Sequence, residues 1–211
     1  MHTLFLTGIG TDVGKTVVSA IITEALKADY WKPIQAGDLE NTDTFKVQKL
    51  ISNSVTKFHK ERYLLKRSMS PHAAADLEGI KINLSSIKRP ETKNNLVIEG
   101  AGGLKVPVNH QQTILNLIQP TDKVVVVSKN YLGSINHTLM TLDVLRQNGI
   151  KPLGIVFNGD ENKATQDIIV EISKVPIITR IDQYKTITKP IILEEAQKMK
   201  EKLAHYLTLS F

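Results

Sequence analysis

A lysine and a threonine close a glycine-rich stretch near the start of this sequence, Gly8-Ile9-Gly10-Thr11-Asp12-Val13-Gly14-Lys15-Thr16. Glycines let a backbone turn with its N–H groups facing inward, Lys15 adds a formal charge, and Thr16 offers a hydroxyl to a magnesium ion. That is chemistry for holding a polyphosphate. Glu99 ends the apolar run Leu96-Val97-Ile98, where a carboxylate suits the magnesium of a nucleotide. Lys32 follows Trp31 and suits an anionic substrate or a phosphoryl group in transfer. Asn158 has an amide that both donates and accepts, as reading a base edge requires. Each residue also has a plainer role. The glycines could serve only a tight turn, Asp43 a helix N-cap, Glu99 a solvated strand end, Lys32 a surface charge, and Asn158-Gly159 a turn. His72 and His137 have no acidic neighbour in sequence and receive no catalytic or metal role.

The elements that must position these residues alternate. Thr3–Thr7 reads as a buried strand, and residues 15–27 as a helix with Val17, Val18, Ile21, Ile22 and Ala25 inward. Strand, glycine turn and helix is the context that a phosphate loop requires. The spacing is a variant one, longer by one residue than the common loop if Gly8 opens it. Residues 30–34 read as a second strand, with Gln35-Ala36-Gly37 as its turn. Asn41-Thr42-Asp43-Thr44 signals a helix start. Residues 53–93 give no clear period. Residues 95–99 form a strand followed by a loop, Gly100-Ala101-Gly102-Gly103. Residues 123–128, with four successive valines, read as a strand buried on both faces. Ser134 caps a helix to Asn148, with Ile135, Leu139, Leu142 and Leu145 inward. Strands at 153–157 and 175–178 and helices at 164–173 and 190–207 complete the chain, the last strand at an edge because of Pro176.

This alternation predicts an α/β fold in which a three-layer, mostly parallel sheet carries helices on both faces, like that of P-loop nucleotide hydrolases. With 211 residues, the chain is expected to be a single P-loop nucleotide-binding domain spanning 1–211. In such a sheet ligands bind beyond the carboxyl ends of the strands. The polar and glycine residues gather at those ends. Cysteine is absent, which excludes disulfides, thiolate metal sites and a cysteine nucleophile. No long uncharged apolar run exists, so a cytoplasmic protein with no membrane partner is expected. Lys and Arg number 27 against 21 Asp and Glu, but the basic residues are dispersed and aromatics are 5%. A polyphosphate and carboxylate site explains that excess without a nucleic-acid partner.

Several of these motifs together resemble the dethiobiotin synthetase family. They are the loop from Gly8 to Thr16, then Lys32-Pro33-Ile34-Gln35-Ala36-Gly37, Asn41-Thr42-Asp43 and Ser70-Pro71-His72. Val97-Ile98-Glu99-Gly100-Ala101-Gly102-Gly103, Gly133-Ser134-Ile135-Asn136-His137, Asn158 and Val175-Pro176 follow in the family's order. The resemblance implies closure of the ureido ring of dethiobiotin from diaminopelargonic acid, carbon dioxide and ATP, with Mg2+, through a carbamate and a carbamic–phosphoric anhydride. It implies nucleotide contacts from Gly10, Thr11, Asp12, Val13, Gly14, Lys15, Thr16, Val17, Asn158 and Pro176. Thr16, Asp43 and Glu99 would hold the metal. Lys32, Lys15 and Thr11 would act on the reacting groups. Lys32, Gln35, Gly102, Gly103 and Asn136 would bind substrate, Asn136 from the partner subunit of a homodimer.

The chain departs from the family at Asp12, where Glu is more usual. It departs again at Thr179-Arg180-Ile181-Asp182, where a Gly and an Ile-Pro pair usually frame the base, so adenine preference is open. Three rivals share the loop chemistry. Partitioning and metal-delivery ATPases carry a lysine where this loop has Gly10. Cobalamin-pathway amide synthetases add a domain with a Cys nucleophile. A non-catalytic nucleotide-binding regulator would need no Lys32.

Overall fold

The computed structural model describes residues 1–208. In chain order the elements are β1 (Thr3–Gly8), α1 (Lys15–Leu26), β2 (Asp29–Trp31), β3 (Ile34–Ala36), α2 (Asp43–Leu50), β4 (Phe58–His59), β5 (Tyr63–Leu65) and α3 (Pro71–Leu77). There follow β6 (Leu96–Gly103), β7 (Lys123–Lys129), α4 (Ser134–Gln147), β8 (Pro152–Asn158), α5 (Lys163–Ser173), β9 (Ile177–Ile181) and α6 (Lys189–Thr208). Seven strands form one sheet in the order β4-β2-β6-β1-β7-β8-β9, every pair parallel. From β1 the chain steps one way to β2, and from β7 it steps the other way to β8 and β9. Right-handed crossovers in opposite directions place their helices on opposite faces. Accordingly α1 packs against α2 and α6, and α4 packs against α5. The expected layered α/β architecture is thus present.

The core lies along the central strands. Leu4, Phe5 and Leu6 of β1 and Val124 to Val127 of β7 have no exposed surface. Burying each such side chain contributes about 1.5–3 kcal/mol. α1 is buried on most sides, because α6 covers the face that the sheet leaves open.

The structure corrects several local expectations. The strand read over 30–34 is two strands in different sheets. Pro33 has no N–H for a ladder and turns its neighbour out of line, while its carbonyl accepts from Arg62 N and Tyr63 N at 2.9 and 3.1 Å. The chain therefore leaves the main sheet at Lys32, and β3 pairs with β5 in a separate two-stranded sheet. Gln35 and Ala36 are strand residues, and the turn falls at Gly37, with φ +78. The glycines after Glu99 form no loop but continue β6, with Gly103 opposite Gly8. Side chains there would crowd β1: a Cβ on Gly103 would lie 3.1 Å from the Gly8 carbonyl.

Gly133, at φ +99, precedes α4 in place of a Ser134 cap, and Ser134 is buried inside the first turn. The inward stripe of α4 is Ser134, Thr138, Leu142 and Leu145, so Ile135 faces outward. Thr138 Oγ1 meets Ser128 Oγ of β7 at 2.9 Å, which lets hydroxyls take core positions that an apolar period misses. Thr42, not Asp43, caps α2, accepting from Phe45 N at 3.2 Å.

Candidate active site

The carboxyl ends of β1, β2 and β6 open into a cleft of about 750 Å³. One side is the loop from Thr11 to Thr16, and the opposite wall is Ser68-Met69-Ser70-Pro71. The loop is set by its two neighbours. Ile9 N donates to the Val127 carbonyl at 3.1 Å, extending the pairing of β1 with β7. Asn158, at the end of β8, donates from Nδ2 to the Val13 carbonyl at 3.1 Å. Gly14 makes room for that amide, since a Cβ on it would lie 2.1 Å from Nδ2. Asp12 and Gly14 both have positive φ, +57 and +92, so the chain coils tightly before α1. Val13 packs its side chain inward and Val17 is half-buried on α1, which leaves backbone groups to face a ligand.

Lys15 points back over the loop and donates to the Gly10 carbonyl at 3.0 Å. It is 7% exposed. Burial lowers its pKa to about 8, and the nearby Lys32 charge adds to the effect. A buried ammonium held by one neutral carbonyl is poised for an anion.

Lys32 lies deeper and is 4% exposed. Its Nζ is 2.8 Å from Asp43 Oδ2, 3.1 Å from Glu99 Oε1 and 3.2 Å from the Gly100 carbonyl. Burial pulls its pKa down, but Glu99 and then Asp43 outweigh that and raise it. Burial also pushes Asp43 up, and Lys32 reverses this to leave it below its ordinary range. Thr16 Oγ1 donates to Glu99 Oε1 at 3.0 Å. Thr16, Asp43 and Glu99 thus converge on one spot that already takes a positive charge. Hydroxyl and carboxylate oxygens suit magnesium, which keeps several water or phosphate ligands of its own.

The remaining predicted residues divide. Thr11 lines the cleft beside Gly102, whose φ is +66; a Cβ there would lie 3.8 Å from Thr11 Oγ1. Gly103 is held in the ladder with Gly8. Gln35 lines the cleft, but its amide is engaged with backbone: Nε2 donates to the Gly37 carbonyl at 2.9 Å and Oε1 accepts from Asp43 N at 3.2 Å. Asn136 is exposed at the start of α4 and does not line this cleft. Pro176 is not at a carboxyl end. It precedes β9, and its carbonyl accepts from Ile155 N at 2.9 Å, about 10 Å down the sheet from Asn158. The residues that β9 brings level with Phe157 and Asn158 are Arg180 and Ile181. Arg180 donates to the Gly159 carbonyl at 3.4 Å and pairs with Asp182.

A family model described as an AAA domain matches residues 2–191. The ATP-dependent dethiobiotin synthetase BioD of Christiangramia forsetii is 53% identical over 94% of this chain and 96% of its own length. Its counterpart in Cytophaga hutchinsonii is 45% identical over 94% and 97%. The chain belongs to the dethiobiotin synthetase family. It is therefore an enzyme of the ligase type. Among solved structures, a plasmid partition protein of Borrelia burgdorferi bound to AMPPNP superposes with TM-score 0.61 at 13% identity, covering 97% of this chain and 98% of that one. MinD of Pyrococcus horikoshii complexed with Mg-ADP gives 0.61 at 14%, covering 99% and 96%. Those likenesses are of fold alone, so the partition-type rival shares the dethiobiotin synthetase scaffold without sharing its sequence.

Two residues at this synthetase site were missed in sequence. Tyr30 donates to Glu99 Oε2 at 2.9 Å, and Lys46 lines the cleft, 2.7 Å from Asp38 Oδ2 and 3.8 Å from Asp43 Oδ1. A signal existed for both. Tyr30 is two residues before Lys32 on an extended segment and shares its face, and Lys46 is one helical turn after Asp43.

Proposed function

We propose that the chain joins carbon dioxide to diaminopelargonic acid and closes the ring to dethiobiotin, converting ATP to ADP and phosphate. One amine forms a C–N bond to carbon dioxide and releases a proton, giving a carbamate. A carbamate oxygen bonds to the terminal phosphorus of ATP as the bond to the ADP oxygen breaks. The second amine attacks the resulting anhydride carbon, loses a proton and expels phosphate. The observation that carries this reading is the buried Lys32 beside Asp43 and Glu99 in a chain that is 53% identical to a named synthetase.

In this reading Lys15 neutralises the terminal phosphate and Lys32 the carbamate and its anhydride, as positioned cations do in phosphoryl transfer. Thr11 and the backbone at Gly102 bind oxyanions, with Gly103 behind them. Residues 10–17 wrap the phosphates, and Asn158 faces the base. A magnesium ion held by Thr16, Asp43 and Glu99 would neutralise nucleotide charge. Gln35 acts by holding the start of α2, and with it Asp43, in place. Residues 1–211 work as one nucleotide-binding domain, a reading that α6 supports by packing back onto α1. The family resemblance supports a homodimer in which Asn136, exposed at the start of α4, serves the partner's substrate. Among the described residues no helix is long and apolar enough to cross a membrane.

The test is inorganic phosphate release with magnesium, bicarbonate and each nucleoside triphosphate, with and without diaminopelargonic acid. Release that requires the diamine supports the synthetase reaction, and the ranking of nucleotides reports what Thr179–Asp182 does to base choice. Release that ignores the diamine overturns the reading.

A further inference from the structure

Glu99 has two oxygens with different neighbours. Oε1 faces the cleft side, receiving Thr16 Oγ1 at 3.0 Å and Lys32 Nζ at 3.1 Å. Oε2 receives the Tyr30 hydroxyl at 2.9 Å. Tyr30 has no exposed surface, and Glu99 is 1% exposed. Tyr30 is held in the ladder opposite Val97, and its ring lies against Phe58 with centroids 6.0 Å apart. Burial and this hydrogen bond together hold the second oxygen on the phenol.

We propose that Tyr30 is a positioning residue that makes Glu99 a one-oxygen ligand and thereby sets the site's preference for a small divalent cation over a large one. The proposal rests on the assignment of the cation to Thr16, Asp43 and Glu99. A large cation such as calcium gains from two-oxygen chelation, because it takes roughly six to eight oxygens at about 2.3–2.6 Å. A small one such as magnesium takes single oxygens in an octahedron at about 2.0–2.1 Å. With Oε2 occupied by a phenol, calcium loses a ligand that magnesium never needed. Partners of a ligating carboxylate are expected to matter at about this level, since removing one shifts metal affinity by roughly ten- to a hundredfold.

The experiment is calorimetric titration of Mg2+ and Ca2+ into protein saturated with AMPPNP, for wild type, Tyr30→Phe and Glu99→Gln, with circular dichroism as the check on folding. Tyr30→Phe should raise calcium affinity relative to magnesium by about tenfold. A calcium-to-magnesium ratio unchanged in folded Tyr30→Phe, while Glu99→Gln weakens both ions, overturns the role of Tyr30 alone. Magnesium affinity unaffected by Glu99→Gln overturns the cation assignment and the proposal with it. Structures of the wild-type AMPPNP complexes with each ion test the same point with no variant. One Glu99 oxygen on the ion with Oε2 still on Tyr30 supports the proposal, and two Glu99 oxygens on calcium overturn it.

Discussion

Lys32 Nζ lies 2.8 Å from Asp43 Oδ2 and ties the end of β2 to the first turn of α2. With Glu99 on its other side, the ammonium keeps two carboxylates together in a nearly dry place. Removing one member of such a set leaves the others uncompensated, which costs about 3–5 kcal/mol. Lys32→Ala is expected to lose at least about a hundredfold in diamine-dependent phosphate release and to melt earlier, while its circular dichroism at low temperature stays native. Unaltered turnover would remove Lys32 from the mechanism.

Lys15 should separate from Lys32 in its effects. Its ammonium hydrogen-bonds to the loop that carries it, so Lys15→Ala should weaken nucleotide binding more than diamine binding. Fluorescent-nucleotide titration should give roughly a hundredfold loss, about 2.7 kcal/mol, with the thermal midpoint of the free protein nearly unmoved. A variant that binds nucleotide as wild type does would place the phosphates elsewhere.

Asp29 provides a pH test away from the chemistry. Its carboxylate accepts from Thr92 Oγ1 at 2.7 Å, Lys57 N and Asn94 Nδ2 at 3.2 Å, and meets His59 Nε2 at 2.9 Å. Burial pushes its pKa up, but these partners, Thr92 first, outweigh that and hold it below the ordinary 3.8. Around and below that value the unfolded chain binds the proton more readily than the native one, so stability falls as pH falls. Asp29→Asn should cost about 1–3 kcal/mol at neutral pH. Urea midpoints should show that gap narrowing as pH drops below 3.8. A gap constant down to the acid transition would mean that Asp29 acts by shape and not by charge.

The start of α4 offers a test of assembly. Leu132 is fully exposed, and Tyr131 and Ile135 stand beside it with 42% and 37% of their surface open. If two copies meet there, Leu132→Asp should yield a monomer by light scattering. It should also raise KM for the diamine several-fold and leave nucleotide affinity unchanged. A wild-type protein that is already monomeric, or a variant that still pairs, would remove this face from the interface.

Legibility in the sequence followed how local the cause of each feature was. The loop at Gly8–Thr16 and the valines of β7 announce themselves, because turn chemistry and burial on both faces act within a few residues. Lys32, Asp43 and Glu99 read singly from their types and positions and as one site only through the family resemblance, and the strand order is what puts them in contact. The course after Lys32 was not legible. It depends on β3 finding β5, which lies beyond α2 in the stretch from residue 53 that carries no period of its own. Ile135 was placed inward because buried hydroxyls, satisfied by Ser128, look polar to any reading of apolar spacing. Tyr30 escaped notice because its single polar atom is spent on a carboxylate more than sixty residues away.

Pro33 diverts the chain from a seven-stranded sheet into a two-stranded one, and that small sheet leads into the wall at Ser68–Pro71. The two sides of the cleft are therefore mounted on separate supports. Substitutions that reshape the wall at Ser68–Pro71 need not disturb the strands beneath the phosphate loop. On the proposed reaction, a search for variants accepting longer or shorter diamino acids is best confined to residues 68–71, with Gln35 and the nucleotide half left as an inherited chassis.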